Sequence, residues 1–186
     1  YARAVRIAMR ELGMMEGVTE TKATRLRQPD NPVLDHSPLG RVPTLITDEG
    51  VGLTEARIIC AWLEHRAGGR ALLGAPDDAT ALAQDGLITG FTEGLVNWVH
   101  EIRRDEAQRS AAMIAHEAAR AERCLAALEA QPLPSLPTYR AALLVAALGL
   151  LDSFGFVPEW RAHYPELAAW AARQAERSSV SETVPM

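Results

Sequence analysis

"GRVPTLITDEGVGLTEARIICAWLE", residues 40–64, decides how this chain is read. A Pro opens an apolar run rich in Val, Thr and Ile. "DEG" then supplies turn residues, and "VGL" returns toward a helical pattern carrying Ile58, Ile59, Trp62 and Leu63. Strand, tight turn and returning strand make a hairpin. Thr54 can cap the helix that follows, with Glu55 in its first turn, and Gly68-Gly69 stops it.

Working outward, Val5, Ala8, Met9 and Leu12 share a helical spacing that Gly13 ends. Residues 18–39 are irregular, with turns at "QPDNP" and "HSPLG". Beyond "GGRALLGAPDD" no strand pattern returns. Residues 78–130 read as two long helices rich in Ala and Leu, and "QPLPSLP" breaks the chain. A hydrophobic helix follows over 138–151. "FVPEW" turns it, and a last helix spans 164–177 with Pro165 in its first turn. The polar tail "SSVSETVPM" is expected to be loose. The pattern predicts an α+β chain of two domains: a mixed α/β part over 1–67, a linker over 68–77 and an all-α part over 78–186.

Composition narrows the partners. The net charge is −5 with no long basic run, so nucleic acid is not expected, since phosphate neutralisation needs clustered Lys and Arg. Cys60 and Cys124 are the only cysteines. Two thiols without a secretory leader read as reduced residues of a cytoplasmic protein, and neither belongs to a C-x-x-C pair. The longest apolar run, Ala141–Leu151, is too short to cross a bilayer. The five histidines show no paired spacing for a metal, so none is expected. The chain opens inside an amphipathic helix with no cap before it, and the expectation is that further residues precede Tyr1.

Two features of the quoted stretch could carry chemistry. Val42-Pro43 reads either as a trans Pro at a strand start, where no ladder donor is needed, or as a cis Pro that leaves the Val42 N–H and C=O free for a peptide-like ligand. Glu55 reads either as an acid favoured by the helix dipole or as half of a ligand site. In the second reading the first-turn N–H groups take a carboxylate while Glu55 takes the ammonium beside it, which suits an α-amino-acid head group.

Together these residues resemble the glutathione transferase family. The matching pattern is "SPLGRVPTLITDEGVGLTEARIICAWLE", preceded by "YARAVRIAMRELG" and followed by an all-α half. The resemblance implies a thioredoxin-like N-terminal domain, here without its first strand and catalytic loop, and an all-α helical-bundle C-terminal domain. It also implies a homodimer and glutathione as cosubstrate. Arg41 would reach the tripeptide. Val42 would pair with its cysteinyl backbone beside cis Pro43. Glu55 and the N–H of Ala56 would hold the γ-glutamyl head. Phe91 and Trp98 would line the pocket of a small apolar electrophile, although aromatics at helical spacing also suit a core.

Three departures from the family pattern matter. Ala56 stands where many members carry a Ser that helps bind the γ-glutamyl carboxylate. Thr138 begins a capping box, Ser/Thr-x-x-Asp, whose acidic half is replaced by Ala141. The thiol-activating residue of the family has no clear counterpart; Tyr1 is the nearest aromatic, and in relatives it packs. Three functions follow: a glutathione transferase, a non-catalytic protein that kept the fold, or a thiol–disulfide oxidoreductase, which would need a cysteine that these residues do not supply. Gly86, Gly90 and Gly94 share one helix face, expected to permit close packing. "EIRRDEAQR" is expected to be a solvated helix face.

Overall fold

In the computed structural model, residues 1–69, 72–75 and 77–184 are described. Residues 70, 71 and 76 of the expected linker, and the last two of the tail, lie outside them.

The first part carries helix α1 (Ala2–Glu11), a long irregular segment with a 3₁₀ turn at Pro32–Asp35, strands β1 (Thr44–Ile46) and β2 (Gly52–Thr54), and helix α2 (Ala56–Arg66). The hairpin forms as the turn residues dictate. The Gly50 N–H donates to the Thr47 C=O at 2.9 Å, with Gly50 at φ +79°, a conformation glycine adopts without steric cost. β1 and β2 pair antiparallel with Thr44 opposite Thr54 and Leu45 opposite Leu53. A side chain at Gly52 would run into the His36 carbonyl, so the bare glycine lets the loop lie against the hairpin.

The second part is helical: α3 (Ala79–Ile102), α4 (Ala111–Glu129), α5 (Tyr139–Phe154), and the shorter α6 (Trp160–His163), α7 (Pro165–Ala175) and α8 (Ser178–Ser181). Asp78 and Ser110 cap α3 and α4 by accepting from the N–H groups of Ala81 and Met113. α5 is apolar around its circumference, with Ala141, Ala142, Leu144, Ala147 and Leu151 fully buried. Such a helix has to be central, and it packs against α3 on one side and α1 on the other. Gly155, at φ +63°, ends it in the left-handed C-terminal position that favours glycine. The core is continuous between the two parts: Ile7, Ile59, Leu63, Leu95 and Leu144 belong to one buried cluster.

Several local expectations are corrected. Thr54 ends β2, and Glu55 itself is the N-cap of α2. Thr138 makes no side-chain cap on α5; its hydroxyl donates to the Ser135 C=O at 2.6 Å, and the Tyr139 N–H is met by the Leu72 C=O at 2.8 Å. Neither half of a capping box forms; the Thr138 N–H is met instead by the Ser135 C=O at 3.1 Å. "EIRRDEAQR" is not one solvated face. Glu101 is buried and accepts from the Ser110 N–H at 2.6 Å, tying the end of α3 to the start of α4. The tail is not loose up to Val184. Thr183 is fully buried, the guanidinium groups of Arg3 and Arg6 donate to the carbonyls of Val180 and Thr183, and Glu11 accepts from both Arg177 and Ser179. The polar face of α1 thus meets a polar tail, a match in space that no local pattern signals.

Candidate functional site

The register of the hairpin builds the site. With Thr44 opposite Thr54, the next positions outward are Pro43 and Glu55. Directly opposed residues of an antiparallel pair lie about 5 Å apart, so the two features singled out from sequence meet at one end of the hairpin. The Val42–Pro43 bond is cis. Among the described residues the Val42 backbone makes no hydrogen bond, and Val42 is 40% exposed. It remains an open strand edge.

Glu55 adopts φ +68°, ψ +118°, a sparsely populated conformation for a residue with a side chain. Such outliers persist where the surroundings hold them and cluster at ligand sites. Its carboxylate does not cap its own helix. The first-turn N–H groups therefore keep the orphan character of a helix start, beside an exposed carboxylate. Ala56 is buried at 3% exposure, so it offers its backbone and not a side chain.

The loop before Pro43 is fixed by a residue the sequence reading missed. Asn31, 3% exposed, donates to the carbonyls of Gly40 (2.8 Å) and Leu26 (3.1 Å) and accepts from the Val33 N–H (2.9 Å). Gly40 has φ +56°, and a Cβ there would stand 2.8 Å from the Asn31 amide nitrogen. Asn31 and Gly40 together aim the chain into Arg41-Val42-Pro43. "DNP" before a 3₁₀ turn is the local signal, since Asn caps such turns readily; its partner nine residues on is not visible locally.

Helix α3 carries an exposed stripe that includes Glu93, Asn97 and His100. Glu93 and Glu55 both lie close enough to the Tyr1 hydroxyl for their charges to bear on it. Burial first, and then these two carboxylates, push Tyr1 up to about 12. Two turns on, His100 is held below its ordinary value by slight desolvation at its exposed position and then by the charges of Arg27, Arg103 and Arg41. The cleft is therefore polar in sign: carboxylates at one end, guanidiniums at the other.

Phe91 does not belong to this cleft. It is 1% exposed and packs in the core, which corrects its expected place in an electrophile pocket. Trp98 is half-buried and stacks on Phe156, with centroids 4.0 Å apart and planes 8° apart. All five histidines are exposed, and among the described residues no group of acids, cysteines and histidines is arranged to hold a metal. Burial, and then the charge of Glu64, raises the Cys60 thiol to about 12, so it is not a thiolate near neutral pH.

Residues 1–66 match the family described as glutathione S-transferase, N-terminal domain. Solved structures extend the match to the whole chain. A glutathione S-transferase from Methylobacillus flagellatus KT with glutathione bound superimposes with a TM-score of 0.85 at 29% identity, covering 99% of this chain and 94% of that one. One from Methylobacterium radiotolerans JCM 2831, in complex with glutathione sulfonate, gives 0.83 at 29% identity, over 100% and 90% of the two chains. A glutathione transferase family member from Pseudomonas fluorescens Pf-5 gives 0.84 at 27% identity with bound glutathione, over 99% and 93%. Over residues 1–66 the chain matches the N-terminal domain of glutathione S-transferases, and its whole fold is the one those structures share. No curated protein matches it. The expected architecture of a thioredoxin-like N-terminal domain followed by a helical domain is thereby shown, and in this glutathione S-transferase fold the cis Pro43 and Glu55 stand side by side on the N-terminal domain.

Proposed function

We propose that the chain binds glutathione between the hairpin and α3 and transfers its thiolate to a small apolar electrophile. The observation that carries this reading is the hairpin register, which sets the open Val42–Pro43 edge opposite Glu55. Residues 1–67 serve as the glutathione-binding domain, joined through 68–77 to the helical domain over 78–186. Val42 pairs with the cysteinyl backbone. Glu55 and the Ala56 N–H hold the γ-glutamyl head, and Arg41 draws the glycyl carboxylate. Scale supports the assignment. Glu93 and His100 are seven residues apart on α3, or roughly 10 Å along a helix, and an extended tripeptide spans about as much. The charges match as well: the ammonium of glutathione goes to the acidic end and its glycyl carboxylate to the basic end.

In the transfer step the thiol loses its proton and the sulfur pair forms the new bond to carbon. A free thiol has a pKa near 8.5, so a donor at the sulfur accelerates the step. Tyr1 is a poor candidate, because a hydroxyl pushed to about 12 donates weakly. We assign no activating residue. Trp98 walls the electrophile. The functional unit is a homodimer, and its place is the cytoplasm, as suits two unpaired thiols; among the described residues no helix is long and apolar enough to cross a membrane.

A second reading is a non-catalytic transferase-like binding or regulatory protein, and Ala56 in the place of a ligand-binding Ser favours it. Calorimetric titration with reduced glutathione tests the first reading. Saturable binding weakened at least tenfold by Glu55→Gln is expected, the loss of a hydrogen bond to a charged group being worth about 1.5–3 kcal/mol. No binding at millimolar glutathione would overturn the transferase and leave the second reading standing. Conjugation of glutathione to a chlorodinitrobenzene then separates them, with turnover expected for the transferase.

A further inference from the structure

Side chains hold the peptide planes that lead into the open edge at Val42. The Thr44 hydroxyl donates to the Arg41 C=O at 2.7 Å. That carbonyl shares its peptide plane with the Val42 N–H, and the Arg41–Val42 bond is trans. In a planar trans peptide the C=O and N–H point in opposite directions. Tying down the Arg41 carbonyl therefore aims the Val42 N–H away from the Thr44 hydroxyl. There it has no partner among the described residues.

One peptide earlier the clamp is Asn31. Its amide donates to the Gly40 C=O at 2.8 Å, that carbonyl's only partner among the described residues. Asn31 is itself anchored on every side. Its second amide hydrogen goes to the Leu26 C=O at 3.1 Å, its N–H to the Gln28 C=O at 3.1 Å, and its C=O accepts from the Leu34 N–H at 3.0 Å. A buried amide with all its donors used is costly to move, because each group it released would lose its partner. Two successive peptide planes, Gly40–Arg41 and Arg41–Val42, are thus fixed before any ligand arrives. The next carbonyl, that of Val42, is left open.

We infer that Thr44 and Asn31 are positioning residues for glutathione, which present the Val42 N–H and C=O in the orientation that the cysteinyl backbone pairs with. They act through the backbone and not through contact with the ligand. The inference rests on the glutathione reading. Its physical basis is preorganisation. A loop free to turn its peptide planes binds only while they face the ligand, and apparent affinity falls by that fraction. If Thr44 served the strand alone, Val would replace it without loss, since the two share a shape and both favour strands. The hydroxyl bond to Arg41 makes them differ.

The test titrates reduced glutathione calorimetrically into the full chain and its variants. Thr44→Val keeps the shape and loses the donor, and its Kd is expected to rise about fivefold at unchanged stoichiometry, the scale of one net hydrogen bond. Thr44→Ser restores the hydroxyl and should bind within about twofold of the unaltered protein. Asn31→Ser can still accept from the Val33 N–H, as a capping hydroxyl does, but is too short to reach Gly40. A loop competent about a tenth of the time would raise its Kd about tenfold. Leu144→Ala, which weakens the core, is the comparison and should leave Kd unchanged. Thr44→Val binding as tightly as the unaltered protein overturns the inference, and the glutathione reading stands if Glu55→Gln still weakens binding. Equal losses in Thr44→Val and Thr44→Ser also overturn it, because the hydroxyl is then not what matters. A lower stoichiometry at unchanged Kd in Asn31→Ser makes Asn31 a structural residue only and overturns its share. No binding by the unaltered protein removes the glutathione reading and this inference with it.

Discussion

Helix α5 and the stretch from Gly40 to Ala56 occupy the same molecule under opposite rules. α5 is buried over most of its length and ends on a glycine where a glycine belongs. The stretch from Gly40 to Ala56 is short-stranded and largely exposed, and it holds Glu55 in a backbone conformation that side chains rarely adopt. One region gathers stability, and the other spends some of it on placing a carboxylate and an open strand edge. That difference separates residues whose loss unfolds the chain from residues whose loss silences a site.

Leu144→Ala gives the largest expected effect. Leu144 is fully buried at the centre of the helical part, and its truncation should cost about 2–5 kcal/mol in denaturant unfolding. Glutathione affinity measured well below the transition should not change; a loss under about 1 kcal/mol would mean that α5 is not the centre of the core. Glu55→Gly should move the two properties in opposite directions. Relief of a strained backbone, offset by greater freedom of the unfolded chain, should raise stability by about 1 kcal/mol, while glutathione binding is lost. A variant that loses both would place Glu55 with α5, as a structural residue.

The glycines of α3 sharpen the contrast within one helix. A Cβ at Gly94 would lie 2.8 Å from a carboxylate oxygen of Glu117 and 2.9 Å from the Arg120 side chain, whereas Gly86 and Gly90 face open space. Gly90→Ala should raise the melting temperature, worth about 1 kcal/mol by helix propensity. Gly94→Ala should fail to gain it, because Glu117 is buried at 2% exposure and has little room to yield. Equal gains would show that α3 and α4 can part without cost.

The smallest effect concerns acid stability. Hydrogen bonds from Arg6, and then from Arg10, hold the Glu20 carboxyl down at about 2 against an ordinary 4.5. A depressed folded-state pKa contributes stability that is full above pH 4.5 and lost as the pH falls toward 2. The pair is solvent-exposed, so the contribution stays below about 1 kcal/mol. Glu20→Gln should flatten the acid limb of the stability curve over that range and leave neutral unfolding nearly unchanged.

Much of this was legible along the chain because it depends on neighbours in sequence. The turn residues "DEG", the apolar period of α2 and the all-round apolarity of α5 each specify an element locally. So does the pairing of Pro43 with Glu55, once the turn length sets the register. What escaped the sequence depends on distant partners. Phe91 and Trp98 lie seven residues apart on one helix, yet one is core and the other half-exposed. The ordered tail rests on Arg3, Arg6 and Glu11 of α1, more than 160 residues away in the chain. Asn31 is a polar residue in a loop until Gly40 is folded against it.

The sequence by itself determined the order of the elements, the hairpin and the chemistry available at its end, because turn propensity and hydrophobic period act over a few residues. Only the tertiary structure decided which charges meet. Arg27 from an irregular loop, Arg41 before a strand and His100 with Arg103 at the end of a helix carry no common signal in the chain. Coulomb interaction depends on distance in space, and the fold that brings the irregular loop beside the C-terminal end of α3 sets that distance.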